Sequence, residues 1–306
     1  MLENNISQIT AQNESHCYLE HKTIIQTWGI VLFCLANCLS GAVAICGNLL
    51  IMSAVHKTTT LQTPTNFFIS SMSLADLLVG LVAIPLWISR AVLNITENTH
   101  VLCLSSDFIT IQTLMASTYS LCSVTVDRYV AIILPYKYNH VVTRNRCFAA
   151  ILIAWAFTMV LAMVLASFRF IVGLRSELPK FYVAAAIFGI DLPIVVICFC
   201  YARIFKAAKE QRTKICSLTS SVRAASLRQR KAAYTIAIVI GVYMIFWTPT
   251  FIVCFLDFTL KLCFYDAWLA TVSVSLANSA LNPWIYAARN KQFWRAFKRV
   301  LRVSSL

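Results

Sequence analysis

Ser120-Leu121-Cys122-Ser123-Val124-Thr125-Val126-Asp127-Arg128-Tyr129-Val130-Ala131-Ile132 is an apolar run that closes on an acid, a guanidinium and a phenol. An Arg at the end of a membrane helix reaches for the aqueous face, and a neighbouring Asp partly neutralises it. An ordinary interfacial Arg–Asp pair reads the same way locally, so position decides. The run ends the third of seven apolar segments, near 27–55, 64–92, 100–134, 145–169, 180–208, 227–258 and 264–288. Crossing a bilayer core takes about 20 mainly apolar residues, and each segment is that long. The chain therefore reads as an all-α membrane protein built on a seven-transmembrane helix bundle.

Composition agrees. The 306 residues are 59% apolar and 12% charged, and soluble domains carry about twice that charge. Residues 1–26 form a polar N-terminus, 27–288 the membrane domain, and 289–306 a short tail. The net charge of +14 is a topology signal rather than a nucleic-acid signal, because the basic residues lie between the apolar segments. With the N-terminus outside, 20 of the 26 Lys and Arg fall on the cytoplasmic side, as the positive-inside rule requires. Glu3, Glu14, Glu20, Glu97, Glu177, Asp257 and Asp266 then lie outside. So do three glycosylation acceptors, Asn5, Asn13 and Asn94. The first residues have no basic or apolar leader pattern, so no cleaved signal peptide is expected. Most of the 12 cysteines sit inside apolar runs, where they act as small hydrophobes.

Each segment holds a polar or helix-breaking mark. Gly47-Asn48 lies in the first. Asp76 lies inside the second, where a carboxylate is costly and implies either function or a hydrogen-bond hub with Asn48. Pro85 should kink that segment. Trp155 marks the fourth, where a packing aromatic is the plainer reading; Pro193 and Tyr201 mark the fifth. Phe246-Trp247-Thr248-Pro249 places a hinge in the sixth. Asn278-Ser279-Ala280-Leu281-Asn282-Pro283-Trp284-Ile285-Tyr286 breaks the seventh. Beyond it, Phe293, Phe297 and Leu301 recur every four residues against a basic face, which predicts a short amphipathic helix on the inner membrane surface.

In order and one set per segment, these landmarks over about residues 28–302 resemble the rhodopsin-like family of G-protein-coupled receptors. The resemblance implies a plasma-membrane receptor that binds an extracellular ligand and activates a heterotrimeric G protein as helix six swings outward. Asp127, Arg128, Tyr129, Tyr136, Tyr201 and Tyr286 would form the coupling switch, with Trp247, Pro249 and Pro283 as hinge residues. Asp76, Ser117, Asn278, Ser279 and Asn282 match the family's internal sodium pocket, and a carboxylate among neutral oxygens suits a hard cation. No other cofactor is expected. Helix six begins Leu227-Arg228-Gln229-Arg230 without the acid that often restrains the mobile Arg, which predicts appreciable basal signalling. Thr118 and Tyr243 replace the family's usual Ile and Phe.

The ligand is less legible. The resemblance puts the pocket at Asp107, Thr110, Ile111, Leu114, Trp247, Phe251, Cys254, Trp268, Val272 and Ser275. Amine receptors carry an Asp where this chain has Thr110, and adenosine receptors an Asn where it has Cys254. Asp107 either captures a cation or is a solvated acid near a loop. Retinal needs a Lys where Leu276 stands. The second outer loop is short and cysteine-free, as in the melanocortin, lysosphingolipid, cannabinoid and adenosine group. Cys103 is therefore free or paired with Cys17 or Cys263. A seven-helix transporter or channel, with Asp76, Asp127 and Asp191 along its path, is the alternative. No nucleophile–base set, metal-ligand cluster or phosphate loop points to an enzyme.

Overall fold

The first apolar segment carries no proline, and it runs as one unbroken helix, α1 (Thr27–Lys57). The computed structural model describes residues 27–95, 100–171, 187–214, 220–260 and 265–301. After α1 come α2 (Pro64–Val92), α3 (Val101–Ile133) and α4 (Arg144–Ile171). Then follow α5 (Leu192–Lys214) and α6 (Ser220–Leu260). The seventh element, α7, is Tyr265–Ala277, a 3₁₀ turn at Asn278–Ala280, and Asn282–Arg289. Last is α8 (Lys291–Val300). A short helix, Tyr138–Val141, lies between α3 and α4.

Five of the described helices are long and apolar enough to cross a membrane. They are α1 to α4 and the Ala233–Val253 part of α6. Helix α6 begins before the expected residue 227, and α5 continues past 208, because the Lys, Arg, Ala and Gln there are good helix formers even where polarity ends the apolar run.

The proline signals resolve in different ways. Pro85 removes a backbone donor from α2, and the turn before it loosens into a π turn at Val79–Ala83. Pro249 is carried inside α6 without ending it. Pro283 follows the 3₁₀ turn that interrupts α7, and it packs on α1. A Cβ at Gly47 would lie 2.6 Å from Pro283 Cγ, so only Gly admits this approach.

Helix α3 is the central post, packed against α2, α4 and α5. Buried amides and hydroxyls tie the helices crosswise. Asn48 Nδ2 donates to the Ser279 carbonyl at 2.9 Å, joining α1 to the break in α7. Trp155 Nε1 donates to Ser71 Oγ at 3.0 Å, and Ser71 pairs with Ser120 at 2.9 Å, joining α2, α3 and α4. On the outside, Leu32, Leu35, Leu39, Leu152 and Ile153 are 63–69% exposed, an apolar surface suited to lipid.

The apolar stripe of α8 does not face lipid as its spacing suggested. Phe293 and Phe297 are buried, and Phe293 packs on Tyr286 with ring centroids 5.7 Å apart. Trp294 and Leu301 remain exposed beside the basic residues. The helix thus uses most of its apolar side to close the bundle.

Candidate functional site

At one end of α3, the Asp127 carboxylate gathers four donor contacts. Arg128 reaches it through Nε at 3.0 Å and a terminal nitrogen at 2.6 Å. Thr65 Oγ1 from α2 donates at 2.5 Å, and Tyr138 OH from the short helix at 2.8 Å. Arg128 also contacts Thr65 Oγ1 directly. The side chains of Arg128 and Asp127 are 13% and 1% exposed, so the pair is shielded from water and salt far more than a surface bridge. Burial first, and then the Asp127 charge, push the Tyr138 phenol well above its usual range. It stays a proton donor at physiological pH. Neither Thr65 nor Tyr138 was singled out from sequence, because each comes from a different element. Tyr129 is half-buried beside Phe199. Tyr136 is 97% exposed. Tyr201 OH donates to the Ala233 carbonyl of α6 at 3.1 Å, and Tyr286 OH is buried without a hydrogen-bond partner among the described residues.

Midway along the bundle, Asp76 is buried and accepts from Asn282 Nδ2 at 2.7 Å and from Ser117 Oγ at 3.5 Å. The alternative reading, a hub with Asn48, does not form, since Asn48 turns to Ser279 instead. A cavity lies against Asp76, Ser117, Asn278 and Ser279 and extends past Tyr243, Trp247 and Ser275 to Leu114 and Thr110. Asn278 Oδ1 is buried with no donor to it among the described residues. A carboxylate, two hydroxyls and an unused amide oxygen around one cavity fit a small hard cation. Among the described residues there is no group of three or more His, Cys, Asp or Glu able to hold a metal ion.

The stretch of α6 around Pro249 adds two polar ties. Thr118 Oγ1 donates to the Leu114 carbonyl at 2.8 Å and is also bonded to Tyr243 OH. A hydroxyl has one proton to give, so Tyr243 is the donor of that second bond. Ser275 Oγ lies 3.0 Å from the Phe246 carbonyl and pairs with Thr250 at 2.7 Å. It thereby serves the stretch of backbone that Pro249 disturbs.

At the opposite end of α3, Asp107 is not a solvated acid. Arg90 of α2 bridges to it at 3.2 Å, and the two side chains are 3% and 12% exposed. The Arg90 guanidinium sits 5.0 Å from the ring centroids of both Trp87 and Trp268. Those rings meet edge-on, 4.9 Å apart. Trp87 Nε1 is held by Thr110 Oγ1 at 2.9 Å. Of the other expected pocket residues, Leu114, Trp247 and Ser275 share the central cavity with Thr110. Phe251 stacks on Trp247, Val272 packs with the Trp87 cluster, and Ile111 turns toward Met115 and Leu165. The Cys254 side chain lies outside the described part.

A family model described as 7 transmembrane receptor (rhodopsin family) matches residues 47–286. The chain belongs to that family. Trace amine-associated receptor 365 of Petromyzon marinus is 30% identical over 282 residues, covering 85% of this chain and 76% of its own length. The adenosine receptor A2b of Rattus norvegicus is 30% identical over 295 residues, covering 85% and 86%. The histamine H2 receptor of the same species is 29% identical over 310 residues, covering 93% and 82%. This chain is a G-protein-coupled receptor of the membrane, and not an enzyme.

The transporter alternative finds no support in the receptor's acids. Asp76 is buried centrally, Asp127 is bound to Arg128, and Asp191 is exposed beside the start of α5, so the three do not line one path. Asn94 is exposed in a turn, with the positive φ of 51° that Asn tolerates. Asn5, Asn13, Cys17 and Cys263 lie outside the described residues, while Cys103 is buried in α3.

Proposed function

We propose that the receptor displays its N-terminus and the Asp107 end outside the cell and couples a small ligand held there to a heterotrimeric G protein at the Arg128 end. The distribution of Lys and Arg supports this sidedness. The observation that carries the coupling reading is the restraint of Arg128 by Asp127 and Thr65 at the basic end of the bundle. Outward movement of α6 would take the Ala233 carbonyl from Tyr201 and open a cleft for the partner. Tyr136, exposed at that end, is the side chain best placed to enter the partner's surface. Relatives named for amines and for adenosine support a small, mostly aromatic ligand between α2, α3, α6 and α7. The aromatic lining at Trp247, Phe251 and Trp268 suits one.

Asp76, Ser117, Asn278 and Ser279 would hold a sodium ion when one binds, with Asn282 steadying the Asp76 carboxylate. Such an ion would favour whichever conformation binds it better. Arg128→Ala tests the coupling proposal. Nucleotide exchange on a co-expressed heterotrimer should fall to the level of cells lacking the receptor, at unchanged surface expression. Exchange equal to the unmodified receptor would refute it.

A further inference from the structure

Asp191 stands where a membrane helix rarely carries a charge. It interrupts the fifth apolar segment between Ile190 and Leu192, and it is exposed on the outside of the bundle. Its depth follows from a near neighbour. A Cβ at Gly189 would lie 2.5 Å from Met115 Cε and 3.1 Å from its Cγ, so Gly189 abuts α3 at the level of Met115. Two residues advance a helix by about 3 Å and turn it by roughly half a turn. Asp191 therefore faces away from α3, level with Ser117, whose hydroxyl reaches Asp76 midway along the bundle. The next basic residue of α5, Arg203, is about 18 Å further along the helix, more than half the depth of a hydrocarbon core about 30 Å thick. Leu192, Val195 and Phe199 share the outward face and are 49–64% exposed.

Acids inside membrane segments almost always turn inward or pair with a base, because a lone charge in hydrocarbon is costly. Asp191 has no hydrogen-bond or ion-pair partner among the described residues. A second copy of this chain offers no base either. Among the described residues every exposed Lys and Arg lies at the Arg128 end, and a copy inserted in the same membrane carries its bases at that same depth. We propose that the Asp191 face of α5 is a docking site for the membrane-spanning helix of a different protein, one with a Lys or Arg near the middle of its span. That base pairs with Asp191, and the apolar residues around it pack on Leu192, Val195 and Phe199. The pairing compensates both charges where neither helix compensates its own. None of the residues lining the central cavity is on α5, so a helix docked on this face leaves the cavity free.

The test uses the whole receptor, labelled with an energy-transfer donor, in phosphatidylcholine vesicles. Acceptor-labelled synthetic spans of about 20 Leu and Ala serve as probes. One carries a central Lys, two carry the Lys one turn nearer either end, and one carries Leu in its place. The central-Lys span should associate with the unmodified receptor about tenfold more tightly than the Leu span does. Asp191→Leu should remove that advantage, and Asp191→Glu should keep it. The proposal is overturned if no Lys span outbinds the Leu span, or if the advantage survives Asp191→Leu. It is also overturned if differently labelled receptors associate through Asp191 without any probe, which would make a second copy the occupant.

Discussion

Asp127→Asn offers the sharpest test of what restrains the switch. The carboxylate accepts from two Arg128 nitrogens, Thr65 and Tyr138, all within 3.0 Å. Asn keeps the shape but loses the charge, and turns one acceptor into a donor facing other donors. A hydrogen bond to a charged group contributes about 1.5–3 kcal/mol net. The low exposure of both partners argues against the heavy discount that surface pairs suffer. Loss of one such contact moves a two-state equilibrium by roughly 10- to 150-fold. With an active minority of about 1%, the lower figure raises it to about 9%. Ligand-independent nucleotide exchange, measured on purified heterotrimer with receptor in nanodiscs at matched amounts, should rise about tenfold. Tyr138→Phe removes one contact but leaves the charge and both Arg128 contacts in place, so it should raise exchange no more than Asp127→Asn does. Basal exchange at or below the unmodified level in correctly inserted Asp127→Asn would refute the assignment of this carboxylate as the restraint.

Three further outcomes follow from the packing. Tyr243→Phe removes the bond from α6 to Thr118 and should raise basal exchange by roughly two- to tenfold, for a contact worth about 0.5–1.5 kcal/mol; Thr118→Val should add nothing further to it. Phe293→Ala should cost about 3–5 kcal/mol, read as a lower melting temperature in detergent, whereas Trp294→Ala, half exposed, should change it little. Gly47→Val places carbon atoms against Pro283 and should reduce the fraction of receptor at the surface, while Gly241→Ala, with nothing within 4 Å, should not.

How much of this was legible in the chain depended on distance along it. Asp127 and Arg128 are neighbours, so their pairing could be read directly. Thr65 lies 62 residues away from Asp127 and carries no mark that distinguishes it from other threonines. The contact between Asp76 and Asn282 spans 206 residues and was reachable only through a resemblance. Arg90 sits near the end of an apolar segment and was not singled out from sequence. Its neighbour one helical turn back, Trp87, was the available signal that it faces inward. Ser275 was read as pocket lining, and it does border the cavity, yet its hydroxyl also serves the α6 backbone. The stripe of α8 was visible as a stripe, but periodicity does not say whether lipid or protein covers it.

The π turn at Val79–Ala83 divides α2 into two independently indexed halves. In a helix, one residue gained or lost rotates everything beyond it by about 100°. A single-codon insertion or deletion inside that turn would swing Trp87 and Arg90 to a new azimuth while Asp76, on the earlier half, keeps its seat. The direction in which Trp87 and Arg90 face is thus set by the length of that one turn.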